Sequence, residues 1–206
     1  MIKTVIFDMG GVIITLDSDE AVRRFAALGM KDFVAQMNPY TQSGIFGDLE
    51  EGKITEEEYR DRLSEICGKT LSFDEIQHCW MGYMKEVPAR NLASIRKLKS
   101  EGYRVVLLSN TNPYIAKWTD SEDWDGEHHS IQDYFDAIYR SFEVKYMKPN
   151  ENFFRHVLQQ ERILPEDVLF VDDGPRNCAA ASELGIRTFC PKNGADWTEE
   201  IYNYLK

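Results

Sequence analysis

Four ionisable residues of this 206-residue chain are placed where they could do chemistry together: Asp8, Lys148 and the adjacent pair Asp172-Asp173. Asp8 follows the apolar run Val5-Ile6-Phe7 and precedes Gly10-Gly11, which frees the backbone to turn sharply and approach a ligand. Asp172-Asp173 follow Val168-Leu169-Phe170-Val171, and Ser109-Asn110 follow Arg104-Val105-Val106-Leu107-Leu108. Lys148 stands directly before Pro149. Carboxylates from separate strands can jointly hold Mg²⁺, a hard cation that prefers oxygen ligands. The cation and Lys148 would give an anionic substrate a positive focus. Ser109 and nearby backbone N–H groups could then hold phosphate oxygens while Asp8 attacks phosphorus in line, forming an acyl-phosphate. Each signal alone has a plainer reading, since Asp forms turns, Ser-Asn caps helices and Lys-Pro precedes them. Their common position at strand ends argues for one site.

The elements that must position these residues are legible in outline. Short β-branched and aliphatic runs at Val5–Phe7, Arg104–Leu108, Ala137–Tyr139, Val168–Val171 and Thr188-Phe189 read as buried strands. Helical patterns alternate with them: one restarted by Pro88 and stopping near Gly102, one with Phe153, Val157 and Leu158, and a last one from Trp197 to Leu205. This alternation predicts a parallel, doubly wound sheet, which binds ligands at the carboxyl ends of its strands. Between the first strand and the rest, the spacing predicts helices instead. Ser18 or Asp19 is expected to cap one that ends at Gly29, and Thr55-x-x-Glu58 and Ser72-x-x-Glu75 read as capping boxes. From Lys31 to Lys85 no strand is expected, and Asn38-Pro39 should break the chain.

Composition narrows the classes. A net charge of −11 opposes nucleic-acid binding and repels a phosphorylated substrate at long range. No apolar run approaches the roughly 20 residues that span a bilayer, and no leader pattern opens the chain, so a cytoplasmic protein with no membrane partner is expected. Cys67, Cys79, Cys178 and Cys190 are scattered and read as reduced thiols. His128-His129 cannot share a helix face, so they read as part of a solvated loop.

With these residues in view, the chain resembles the haloacid dehalogenase (HAD) superfamily over essentially its whole length. Phe7-Asp8-Met9-Gly10-Gly11-Val12 resembles the first motif of that family, Leu108-Ser109-Asn110-Thr111-Asn112 the second, Lys148-Pro149 the third and Phe170-Val171-Asp172-Asp173 the fourth. The resemblance is nearest to a bacterial subgroup that includes α-D-glucose-1-phosphate phosphatase. It implies a Rossmann-like α/β core of residues 1–16 and 86–206 and an inserted helical cap of residues 17–85. It implies a Mg²⁺-dependent phosphatase acting on a small phosphorylated metabolite such as a hexose 1-phosphate, as a monomer or homodimer. Asp8 would be the nucleophile and Lys148 its catalytic partner, with Ser109 and Asn110 binding substrate. Asp8, the Gly10 carbonyl, Asp172 and Asp173 would hold the metal, Asp172 directly or through water.

Position 10 departs from the family pattern. Most phosphatases of the superfamily read Asp-x-Asp, the second Asp serving as general acid and base, whereas Gly10 has no proton to give. Its absence should favour acidic leaving groups such as an anomeric oxygen, with Asp17 as a nearby substitute unless it serves as a hinge or cap. Specificity is expected from cap loops between Met37 and Gly52, where Phe46 reads as a core aromatic and Glu50 as a solvated acid. Two other readings compete: a 2-haloacid dehalogenase that uses Asp8 without metal, and an inactive binding module. The Asp172-Asp173 pair favours phosphoryl chemistry over both, because neither halide displacement nor the fold alone requires it.

Overall fold

The computed structural model describes residues 1–30, 37–38 and 41–206, with the backbone alone for 37–38 and 41–42. The first half of the chain runs β1 (Thr4–Phe7), β2 (Thr15–Leu16), α1 (Ser18–Leu28), β3 (Met37–Asn38), β4 (Thr41–Gln42), α2 (Gly44–Glu50), α3 (Glu56–Cys67), α4 (Phe73–Trp80), β5 (Met84–Glu86) and α5 (Ala89–Ser100). The second half runs β6 (Arg104–Ser109), α6 (Pro113–Thr119), β7 (Ala137–Arg140), α7 (Ser141–Val144), α8 (Glu151–Glu161), β8 (Val168–Val171), α9 (Pro175–Glu183) and β9 (Arg187–Phe189).

The five-stranded sheet has the order β7-β6-β1-β8-β9, all pairs parallel, so β1 lies at its centre. Val5, Ile6 and Phe7 are buried on both faces, as a central strand of a doubly wound sheet requires. Phe7 pairs with Leu107 and Val171, and the Asp8 N–H donates to the Val171 carbonyl at 2.8 Å. The register therefore sets Asp8 beside Asp172 at the carboxyl edge of the sheet. One helical layer packs against each face, and the expected α/β class stands.

The helical half follows its capping signals closely. Both capping boxes form, Thr55 with Glu58 and Ser72 with Glu75. α1 ends at Gly29, whose φ of 112° only glycine adopts without strain. Its N-cap is Asp17, one residue earlier than expected, and the side chain accepts from the Asp19 N–H at 3.0 Å. This explains Asp17 as a cap and leaves it outside the lining of the site described below. Phe25, Phe46, Tyr59 and Trp80 form an aromatic cluster, with Phe25–Trp80 and Phe46–Tyr59 ring centroids both 5.6 Å apart. Such tilted and edge-on pairs add about 0.5–1.5 kcal/mol each beyond the area they bury.

Two expectations need correction. The segment read as free of strands contains the two-residue pair β3–β4 and the short β5, which pairs antiparallel with β2. These strands are too short to carry a period-2 signal. Pro39, expected to break the chain, lies outside the described residues. The last segment is no α-helix: only Glu200–Asn203 form a 3₁₀ turn, because Trp197, Ile201 and Leu205 are each pinned in the core and Tyr204 stacks on Phe189 at 4.4 Å. All four cysteines are free thiols. Around His129 the loop is organised by Asp125, which accepts from the Tyr134 hydroxyl at 2.6 Å and from the Glu127 N–H at 2.8 Å. Among the described residues, no helix is long and apolar enough to cross a membrane.

Candidate active site

Asp8 leaves β1 directly into a tight loop. The Ile13 and Ile14 N–H groups both donate back to the Met9 carbonyl at 2.9 Å, and the Gly11 N–H donates to the Ile14 carbonyl at 2.8 Å. The loop is clamped from behind by Asn91 of α5 and by Trp197, both donating to the Val12 carbonyl, at 2.9 and 2.8 Å. Asp8 Oδ1 accepts from the Met9 N–H at 2.7 Å and from Lys148 Nζ at 2.8 Å. Among the described residues nothing donates to Oδ2.

Lys148 is buried rather than exposed at a helix start, and its Nζ also reaches Asp172 Oδ2 at 2.6 Å. Its backbone is gripped by Asn110. The Lys148 N–H donates to Asn110 Oδ1 at 2.8 Å, and Asn110 Nδ2 donates to the Lys148 carbonyl at 2.9 Å. Asp172 is fully buried, and its oxygens also accept from the Gly174 N–H and from Asn177 Nδ2. Asp173 turns the other way and packs against Gly11. A Cβ at Gly11 would lie 2.2 Å from Asp173 Oδ2, and φ there is +77°. The doublet Gly10-Gly11 thus has a second use: its bare Cα makes room for a carboxylate.

Oxygens of Asp8, Asp172 and Asp173 all lie within 4.8 Å of one another. Three carboxylates and one ammonium leave two negative charges unmatched. Arg176, the basic residue nearest in sequence, is exposed and makes no ion pair with them. The imbalance shows in the acidities. Burial, opposed by Lys148 and reinforced by Asp172 and Asp173, raises the Asp8 carboxyl well above its ordinary value. Burial and the Asp172 charge push Asp173 up to about 6. Burial works against the Lys148 ammonium, but Asp172 and Asp8 together keep its pKa above the ordinary lysine value. A divalent cation on these oxygens would match both charges, and an all-oxygen donor set suits Mg²⁺.

Asp8, Lys148 and Asp173 face a cavity of ≈ 250 Å³. Asp8, Gly10, Asn110, Lys148 and Asp173 line it on the sheet side; Glu50, Trp80 and Tyr83 close it from the helical side. Thr111 also lines it, and its hydroxyl is buried without a partner among the described residues. Two expected residues are not on the wall: Ser109 and Asp172 are buried behind it, and the Ser109 hydroxyl donates to the Asn110 carbonyl at 3.3 Å. Phe46 is a core aromatic, as expected. Glu50 departs from expectation. It is buried, 4% exposed, rather than solvated, and burial raises its carboxyl from 4.5 to about 7, against the pull of the Asn112 amide and of Lys148. Its neighbours Asp48 and Glu51 make the stretch look like a solvated face, and burial of a single acid on a helix of about two turns leaves no periodic trace.

Residues 2–185 match the model of the haloacid dehalogenase-like hydrolases. The chain belongs to that family. Over 201 residues it is 41% identical to a D-ribitol-5-phosphate phosphatase of Bacteroides thetaiotaomicron, covering 98% of this chain and 97% of the relative. A HAD-like hydrolase from Porphyromonas gingivalis superposes with a TM-score of 0.95 at 38% identity, covering 100% of this chain and 98% of the other. A HAD enzyme of Bacteroides thetaiotaomicron solved with magnesium and inorganic phosphate gives a TM-score of 0.88 at 35% identity, covering 97% and 99%. This hydrolase is a phosphatase, a phosphoric monoester hydrolase.

Proposed function

We propose that this phosphatase hydrolyses the phosphate monoester of a small sugar or sugar alcohol, with Mg²⁺, through a phosphoryl group carried transiently on Asp8. The observation that supports it most is Lys148 bridging Asp8 and Asp172 beside Asp173, a buried cluster two positive charges short of neutrality. Asp8, Asp173 and the Gly10 carbonyl would hold Mg²⁺. Asp172, its oxygens already engaged by Lys148, Gly174 and Asn177, would reach the metal through water and mainly orient Lys148. Bound there, the cation supplies charge neutralisation for the transferring phosphoryl oxygens.

The chain's own residues account for the rest. Asp8 Oδ1 is anchored by Met9 and Lys148, so Oδ2 is the atom presented for in-line attack. Lys148 stabilises the charge that gathers on the phosphoryl oxygens. Asn110, holding both backbone polar groups of Lys148, is a positioning residue for it. Thr111, with an unpartnered hydroxyl on the wall, serves the phosphate better than Ser109, whose hydroxyl already has an acceptor. Residues 17–85 act as a cap over the core of residues 1–16 and 86–206, the β2–β5 pair marking where the chain crosses between them. The relative named for D-ribitol 5-phosphate shifts the preferred substrate from a hexose 1-phosphate toward a primary phosphate of an open-chain polyol.

A screen with Mg²⁺ present tests this, using D-ribitol 5-phosphate, other polyol and sugar phosphates, a hexose 1-phosphate and a 2-haloacid. Phosphate release is expected only from the esters, and Asp8→Asn should keep the fold yet lose turnover almost completely. Retention of more than a few percent of the rate in that variant would overturn Asp8 as nucleophile, and full activity in excess chelator would overturn the metal and move the metal-free dehalogenase to first place.

A further inference from the structure

Gly10 leaves the sheet side of the site without the acid that expels an alkoxide. Glu50 is the group on the opposite wall with the chemistry to replace it. It projects from α2 into the same cavity as Asp8 and Lys148. Its Oε2 is buried and accepts no hydrogen bond of ordinary geometry among the described residues. A buried carboxyl oxygen without a partner costs about 1–3 kcal/mol, a cost that a substrate hydroxyl or ester oxygen would remove on binding. Resting on the reading above, we propose that Glu50 is the general acid and base of this phosphatase, supplied from the helical cap instead of from position 10, two residues after the nucleophile.

In the first step the Asp8 oxygen–phosphorus bond forms while the bond from phosphorus to the ester oxygen breaks, and the Glu50 proton passes to that departing oxygen. In the second, water attacks phosphorus, its proton passes to the Glu50 carboxylate and the Asp8–phosphorus bond breaks. Glu50 is then protonated again and Asp8 is free, so the cycle balances without another reactant. The groups around Glu50 suit a proton that comes and goes near neutrality. Burial raises it to about 7, while the Asn112 amide and the Lys148 ammonium keep it from rising further. Tyr59 of α3 and Tyr83 face it with pKa values raised by burial, so both stay neutral. On α7, which also packs on α2, Glu143 is half exposed and bound to Arg140. General acid–base assistance is worth typically 10²–10⁴-fold. The relative named for a primary alkyl phosphate, whose alkoxide is a poor leaving group, fits a site in which such assistance is present.

The test compares Glu50→Gln with the unaltered protein, Mg²⁺ present, on two substrates: the best primary alkyl phosphate of the screen and acetyl phosphate, whose acetate leaves without a proton. For the alkyl ester, kcat/KM should fall at least about 10²-fold. The first-turnover burst of acetate from acetyl phosphate should stay within threefold, followed by slow turnover because water lacks its base. In the unaltered protein, kcat/KM for the alkyl ester should decline as pH rises through about 7, and the acetate burst should not. Equal loss on both substrates, an alkyl rate within threefold of wild type, or an alkaline limb that persists in Glu50→Gln would overturn the proposal. Dependence on Asp8 is measured separately, so a failure here leaves the phosphatase reading standing or falling by itself.

Discussion

Lys148 shows how the site is tuned at the scale of single residues. Its Nζ lies 2.8 Å from Asp8 and 2.6 Å from Asp172, out of reach of solvent screening. Lys148→Ala should therefore lower kcat/KM at least about 10²-fold, about 2.7 kcal/mol of transition-state stabilisation; a variant within threefold of wild type would remove Lys148 from the mechanism. Glu50 makes stability depend on pH. Its carboxyl is raised from 4.5 to about 7, so between those values the folded protein binds more protons than the unfolded chain. Stability is then full below about pH 4.5 and declines as pH rises toward 7, by on the order of 3 kcal/mol. Glu50→Gln should be more stable than wild type at pH 8 and lose that advantage at pH 4, read by denaturant midpoints at the two pH values; a gain that does not change with pH would contradict the buried acid. Asp8, Lys148 and the Asp172-Asp173 pair were legible because strand ends, glycines and prolines are local signals. Glu50 was not, because only the packing of α2 against the core buries it.

At the scale of elements, the loop after β1 depends on a missing side chain. Gly11 has φ of +77° and its Cα faces the Asp173 carboxylate, so a methyl group there would displace that carboxylate as well as strain the turn. Gly11→Ala should raise the Mg²⁺ concentration for half-maximal activity about tenfold or more, with the rate at saturating Mg²⁺ affected less. An unchanged Mg²⁺ titration would show that Asp173 is not held by this contact. Capping boxes at Thr55 and Ser72 placed α3 and α4 in advance, since each satisfies its own orphan N–H groups within four residues. The segment from Trp197 defeated the same kind of reading. Its apolar spacing is helical, but Trp197 donates to Val12 and Arg187 donates to the Tyr204 carbonyl, contacts that hold the chain across the sheet instead.

At the scale of the whole molecule, the topology could be anticipated because parallel strands separated by helices admit few arrangements. Closure of the cavity could not, because it is made by long-range contacts. Tyr114 of α6 donates to Glu56 of α3 at 3.0 Å and stacks on Phe73 of α4 at 4.7 Å, and Lys145 donates to the Gly52 carbonyl at 2.7 Å. The net charge of −11 acts over the same distances. It repels a dianionic ester until salt shortens the screening length from about 30 Å at 0.01 M to about 8 Å at 0.15 M. Raising ionic strength across that range should increase kcat/KM about two- to threefold at fixed free Mg²⁺; a decrease would mean that the local cation and Lys148 govern capture. One feature of the helical side has an optical consequence. Of the four tryptophans, Trp80 alone is on the cavity wall, with Phe25 and Phe46 behind it, while Trp197 is bound beneath the nucleophile loop and Trp118 pairs edge-on with Trp124. A ligand entering beside Trp80 changes the polarity around one indole and leaves three as an internal standard, so the protein carries a built-in fluorophore for its own occupancy.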